Sequence, residues 1–557
     1  MNAVEKIHRV IDPLFLTELR AEFEQRLFDP ERLKELHNHI ASLKFFDPAC
    51  GSGEFLIEIH ASLRRLEEEI LEHIPESTAR ISGAQFFGIE SSSSSAKKLR
   101  KNLPNSHIRH GNALLLDWSK LLPRGADFII GKPSAFGFPF QTPEQKADVS
   151  RVFVNERGKP YAKNGKLDYA AGWIFKAAQF MHNRKTRAAF VLPESLCQSE
   201  QAYLIWKPLF ERFGVHIDFA YRPLKWSRQT RSFFSNKSVI VGFSSARNDQ
   251  PRRIFDGDQS QEVANINAYL LDAPNIFVTG QMKPLCEVPE IHRGNQPTDG
   301  RNLIIEADQY DDFIRREPRA QKFIRRFMMG REFVKNLPRY CLWLKDATPE
   351  EIQSMPLVAE RVSAVKRFRE SSTFDKTRKL SKTPHLFREQ ITPDRFIAIP
   401  KVLSDKRAYL PIAWLDSSTI AGDQIFMIPD AELFHFGILE SSVHMIWTRA
   451  LGGQYSKGFC YSKTIIYNNF PWCEPTAKQR AAIENTAQKI LDARKKYGEL
   501  SLADLYDNQK MPSELRAAHL ENDLAVLDAY GFDKNISETE ILSRLMSMYD
   551  DLLTSMK

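Results

Sequence analysis

The stretch LKFFDPACGSGEFLIEIHASLRRLEEEILEHI, residues 43–74, constrains the fold more than any other part of the chain. It opens on a short apolar run, crosses a turn with Gly51 and Gly53, and continues with apolar residues at helical spacing from 53 to 74. A strand that enters a helix through a glycine turn is half of a parallel β-α-β unit, so other strands must lie beside it. Five apolar runs qualify: AQFFGIE (84–90), ADFIIG (126–131), RAAFVLP (187–193), HIDFAY (216–221) and SVIVGFS (238–244). Helical candidates lie between several of them, notably LDYAAGWIFKAAQFMHN at 167–183. The alternation predicts an α/β domain with an open, mostly parallel sheet and helices on both faces.

Beyond about residue 280 this rhythm gives way to short mixed segments rich in Pro and Arg, and from about 476 the period is helical again. A chain of 557 residues exceeds one compact core, so two or three domains are expected. No run of eighteen apolar residues exists, which argues against a membrane span, and the first residues, MNAVEK, lack the apolar core of a signal peptide. A cytoplasmic protein is the expectation. The six cysteines form no C-x-x-C pair, and they read as reduced, mostly buried thiols rather than a zinc site.

Charge is unevenly placed. Residues 312–410 hold 23 Lys and Arg against 12 Asp and Glu, an excess larger than the +8 of the whole chain. Within them, residues 361–388 carry nine basic side chains against Glu370 and Asp375, interleaved with Phe368, Phe374 and Phe387. Such a region is either a solvated face or a seat for a polyanion such as nucleic acid.

The chemistry is expected at the first glycine turn. In DPACGSGEF, with Asp47, Ala49, Gly51, Gly53 and Phe55, two glycines one residue apart let a ligand approach the backbone where a Cβ would obstruct it. Glu90 ends the next strand, where a carboxylate can accept from both hydroxyls of a ribose. Asn112, in GNALLLDW, is positioned to meet an adenine edge. A dinucleotide turn would need glycine at 56, which is leucine, so S-adenosylmethionine is the nearer match.

FFDPACGSGEFLIE, FFGIE and GNALLLDW, followed by the strand at 126–131, resemble the ordered motifs of DNA methyltransferases that modify the exocyclic amine of adenine. LDYAAGWIFKAAQFM, HIDFAYRPLKW, GRNLII, RYCLWL, FGILESSVHMIWTRALGG, YSKTIIYNNFPW and LADLYD extend the resemblance, from about residue 11 onward, to the MmeI-like restriction-modification family. The resemblance implies a Rossmann-like class I methyltransferase sheet over 1–280, a mixed α+β target-recognition domain over 281–474 and a helical C-terminal region over 475–557. It further implies S-adenosylmethionine as cofactor and double-stranded DNA as partner. Complete members carry an N-terminal nuclease and a helical connector; this sequence starts at the methyltransferase, so DNA cleavage is not expected of it, and a separately encoded nuclease or defence-system component is a conceivable partner.

One departure bears on catalysis. Where the family has Asn-Pro-Pro followed by Tyr or Phe, this chain reads Lys132, Pro133, Ser134 and Ala135, with Phe136 next. In the family pattern the asparagine oxygen and a proline carbonyl accept the two amine protons of a flipped adenine, and the aromatic ring stacks on it. A lysine ammonium only donates, and it sets positive charge beside a sulfonium. Three readings follow: a DNA adenine methyltransferase with weakened catalysis, a DNA-binding homologue that no longer transfers methyl groups, or methyl transfer to another acceptor through the altered loop.

By resemblance, Asp168 and Tyr169 lie near the pocket, while Asp168 at a helix start also has a plain structural reading. Trp173, Phe175 and Phe180 read as core, and His216 as a structural histidine. Arg361, Lys366, Arg367, Arg369, Lys406 and Arg407 are the candidate phosphate or base contacts of the recognition region.

Overall fold

Three parallel strands carry phenylalanine in register, and the first sheet is built around them. In the computed structural model, which describes residues 3–161, 167–225, 237–246, 251–455 and 458–556, these are β1 (Phe45–Asp47), β2 (Phe86–Glu90) and, after β3 (His107–His110), β4 (Phe128–Gly131). Phe45 lies opposite Phe86 on one side and Phe128 on the other, with ring centroids 5.4 and 5.5 Å apart and nearly parallel planes. Phe15, from the N-terminal helical segment, closes over the row at 5.1 Å from Phe45 and 4.8 Å from Phe128. Phe46 points to the other face, as strand alternation requires, and meets Trp118 edge-on at 5.0 Å. Each fully buried phenylalanine contributes roughly 1.5–3 kcal/mol of burial, so the row anchors the strand order.

The sheet continues through β5 (Arg187–Pro193), β6 (His216–Lys225), β7 (Lys237–Ser244), β8 (Arg252–Asp256) and β9 (Gln259–Val263) in the order β3-β2-β1-β4-β5-β7-β6-β8-β9. β3 through β5 are parallel, while β7 runs antiparallel to both β5 and β6. The sheet is thus mixed beyond β5. The chain winds outward from β1 to β3 and then restarts at β4, so β1 and β4 flank the switch point. In such sheets the crevice beyond the carboxyl ends at that point receives ligands. Asp47, Glu90 and Gly131 end the three strands around it.

Residues divide into two compact units, Met1–Val278 and Thr279–Lys557. The second unit holds two four-stranded sheets and one three-stranded sheet, followed by helices Ala477–Lys495, Ser513–Ala529 and Glu538–Ser555. Residues 281–474 and 475–557 both lie in this unit. Their joint is a buried polar cluster: Arg494 reaches the Ile412 carbonyl at 2.8 Å and pairs with Glu440, whose carboxylate accepts from Tyr506 Oη at 3.0 Å. His519 is stacked on Tyr409 at 4.0 Å. No described helix is long and apolar enough to cross a membrane.

Candidate functional site

The glycine turn after β1 has the geometry its sequence suggests. Gly51 and Gly53 adopt φ of +53° and +93°, a region costly for side-chain-bearing residues. The two glycines serve different ends. A Cβ on Gly53 would lie 2.1 Å from Leu99 Cδ1, so this glycine lets helix Glu54–His73 pack close to helix Ser93–Asn102. A Cβ on Gly51 would meet no atom within 4 Å, so Gly51 borders open space.

Glu90 is drawn onto the same turn. Its carboxylate accepts from the Gly51 N–H at 2.8 Å and the Ser92 N–H at 2.7 Å, and the residue stays half-buried. Two oxygens with about four acceptor positions retain capacity for further donors, such as ribose hydroxyls. Asp47 is buried, and its carboxylate accepts from the Ala49 N–H at 2.9 Å. Burial pushes its pKa up to about 7, with the charge of Glu90 adding to the shift and the Ala49 N–H opposing it. Gly131 at the end of β4 leaves room for that carboxylate: a Cβ there would sit 2.6 Å from Asp47 Oδ1. The remaining acceptor positions of Glu90 fit hydroxyl donors such as those of a ribose, and the open side of Gly51 is a space that a Cβ would fill.

Two expected contacts are engaged within the protein. Phe55 packs in the buried core cluster. Asn112 spends its amide inside the protein: Nδ2 donates to Asp148 Oδ2 at 2.8 Å and Oδ1 accepts from the Leu114 N–H at 2.9 Å. Tyr169 Oη donates to the same Asp148 oxygen at 3.2 Å. Asp148 is thus the hub of a small network that sequence reasoning missed, because no motif surrounds it. Lys176 was missed likewise; its ammonium bonds the carbonyls of Ala113 and Leu114 at 2.7 and 2.9 Å and fixes the loop behind Asn112. Trp173, expected as plain core, donates its indole N–H to the Pro48 carbonyl at 3.0 Å and so holds the glycine turn in place.

The loop after β4 is tethered at its far end. The Phe136 carbonyl accepts from the Tyr169 N–H at 2.9 Å and from Gln141 Nε2 at 2.8 Å. Asp168 holds the Ala170 N–H at 3.1 Å and bonds the Phe136 backbone; burial pushes its pKa up to about 6, with both bonds opposing. Pro133 is buried, whereas Ser134, Ala135 and the ring of Phe136 are exposed. Lys132 is exposed as a residue, yet crowding around its ammonium holds its pKa below the lysine range, with Glu54 opposing and Lys6 adding to the shift. The end of β4 therefore presents a cation and small exposed side chains beside the switch point.

Among the six basic candidates of the second unit, three turn inward. Arg369 is completely buried, and its five N–H donors go to five carbonyls: Thr298 at 2.8, Leu380 and Thr383 at 2.9, Pro297 at 3.0 and Leu386 at 2.7 Å. Arg361 bonds the Asn302 and Ile304 carbonyls at 2.9 and 3.0 Å, and Arg407 is buried. The expected place of Arg369 on DNA is corrected accordingly, since a guanidinium whose five donors are all taken cannot grip phosphate. Lys366, Arg367 and Lys406 are exposed. His216, read as structural, lies 3.0 Å from Ser244 Oγ and 3.2 Å from Asp218 Oδ1.

Comparison with known proteins gives consistent matches along the chain. Residues 23–103 and 92–256 match the DNA-methyltransferase domain model of MmeI, residues 272–474 its target recognition domain and residues 475–557 its C-terminal domain. "DNA methyltransferase A" of Bacillus subtilis (strain 168) is 34% identical over 588 residues, covering 99% of this chain; the chain spans 66% of that protein. The solved structure of the Type IIL restriction-modification enzyme MmeI in complex with DNA superposes with a TM-score of 0.85 at 34% identity, over 100% of this chain and 80% of that one.

Proposed function

This chain belongs to the MmeI family, and on that footing we propose that it binds S-adenosylmethionine and duplex DNA and directs methylation to the exocyclic amine of adenine. The reading rests first on the switch-point turn, where the Glu90 carboxylate is fixed by the Gly51 and Ser92 N–H groups beside the open side of Gly51. Glu90 would hold the ribose, and Asp47 and the backbone around Gly51 the amino-acid end. The bound cofactor would supply an electrophilic methyl group. The chain's own part is to exclude water, hold the base and accept the amine protons.

That last part is impaired. Pro133 keeps one carbonyl, but Lys132 brings donors and a positive charge where an acceptor is needed, and Ala135 offers no ring. Loss of one preorganised active-site hydrogen bond costs about a hundred- to a thousandfold in rate, so transfer should be slow in this chain. The same loop favours a second reading, a DNA-binding homologue without methyl transfer. Titration calorimetry with S-adenosylmethionine tests the pocket; an absence of binding heat removes the first reading. Methylation mapping of DNA from a host expressing the protein then separates slow transfer, which leaves partial marks at one sequence, from none.

A further inference from the structure

We propose that Phe374 is a stacking wedge: its ring enters a groove of duplex DNA and stacks on the bases, while the lysines around it hold the phosphates. This rests on the reading that the chain binds duplex DNA. Phe374 is 73% exposed, and it stands in a loop whose backbone is hydrogen-bonded on both sides of the ring. Its N–H donates to Ser372 Oγ at 3.2 Å, and its carbonyl accepts from the Thr377 and Arg378 N–H groups at 3.0 and 3.1 Å. Arg378 ties the turn off, bonding the Ser372 carbonyl at 2.7 Å and pairing with Asp375. Beneath the loop, the Arg369 guanidinium joins helix Pro356–Glu370 to the carbonyls at 297–298 and at 380–386. The backbone that carries the ring is therefore hydrogen-bonded in place, which lowers the ordering cost of docking.

The surroundings select the partner. Lys366, Arg367, Lys376, Lys379 and Lys382 are exposed and have no ion-pair partner among the described residues. The acidic side chains of this stretch are Glu370 and Asp375, and Asp375 is already paired with Arg378. An exposed apolar ring with exposed, unpaired cations close by in the sequence suits a polyanion that offers flat apolar faces between its charges. Duplex DNA does so when a step is opened from a groove by an inserted side chain. Phe368, the other exposed aromatic here, differs: it rests on Gly300, where a Cβ would approach its ring to 2.9 Å, and so serves packing.

The test uses the full chain and a labelled duplex pool enriched from random sequence by the wild-type protein. Phe374→Ala should weaken binding about tenfold or more, the scale of one base–aromatic stack. The slope of log affinity against log salt should stay unchanged, because a neutral ring releases no counterions. Phe374→Trp should restore affinity, with its indole fluorescence quenched on binding. Lys379→Gln should lower the salt slope by about one. Phe374→Ala affinity within about twofold of wild type, a scale far below one stack, overturns the wedge alone. Loss of binding to phosphatidylglycerol vesicles with an unchanged duplex isotherm also overturns it. A wild-type chain that enriches no duplex removes the DNA-binding reading and the wedge with it.

Discussion

Arg367 and Arg369 are two residues apart in a basic stretch, yet the structure gives them opposite duties, and Arg369→Met exposes the difference. The substitution deletes five hydrogen bonds that join one helix to two other segments. Hydrogen bonds to a charged group contribute about 1.5–3 kcal/mol each, which would sum to more than 7 kcal/mol. Two effects reduce this: the buried guanidinium has forgone several kcal/mol of hydration, and some of the freed carbonyls will take up water. A loss of about 3–5 kcal/mol remains. Arg369→Lys should recover little of it, because three donors at one point cannot span five carbonyls. Urea unfolding followed by tryptophan fluorescence measures the loss, and Arg367→Gln serves as control, with unchanged stability and a salt slope for DNA lower by about one. An Arg369→Met protein as stable as wild type but weakened in DNA binding would refute the structural assignment.

Three further outcomes follow from the pocket. Gly53→Ala should destabilise the protein by about 2 kcal/mol or more, since its Cβ collides with Leu99, whereas Gly51→Ala should fold with a loss near 1 kcal/mol and yet lose S-adenosylmethionine binding in calorimetry. Glu90→Ala should weaken that binding about tenfold to a hundredfold, the scale of bonds to a charged acceptor. Asp47 has a folded pKa of about 7, against about 3.9 unfolded. The folded state therefore binds more protons between these values, and stability falls as pH rises through the window by at most about 1.4 kcal/mol per pH unit from this group. Asp47→Asn should flatten that part of the decline between pH 4 and 7 in denaturation curves.

The central strands were legible because parallel strands covered on both faces are continuous apolar runs: FFD, FFGIE, FIIG and RAAFVLP show no alternation to mislead. β3, reading HIRH, and the edge hairpin of β8 and β9 were not, since edge strands expose polar side chains and resemble loops. The helix expected from 167 begins at Ala171; the residues before it form the turn in which Asp168 and Tyr169 tether Phe136. Gly51 and Glu90 stood out because a turn and a strand end have local signatures. Asp148 and Lys176 did not, since their partners lie 21 to 63 residues away and no spacing announces them. Arg369 shows the same limit in reverse: a basic run signals charge, and only the fold shows that this guanidinium is already consumed. Across the boundary expected at 474, where the matched recognition and C-terminal family models also meet, Arg494 is buried against Glu440 and Ile412.

The loop after β4 limits catalysis in this reading, and methyl transfer from labelled S-adenosylmethionine to duplex DNA tests that directly. The triple variant Lys132→Asn, Ser134→Pro, Ala135→Phe should transfer at least about a hundredfold faster than the natural chain, with the label on adenine. Equal rates for the two proteins, on DNA that both bind, would contradict it.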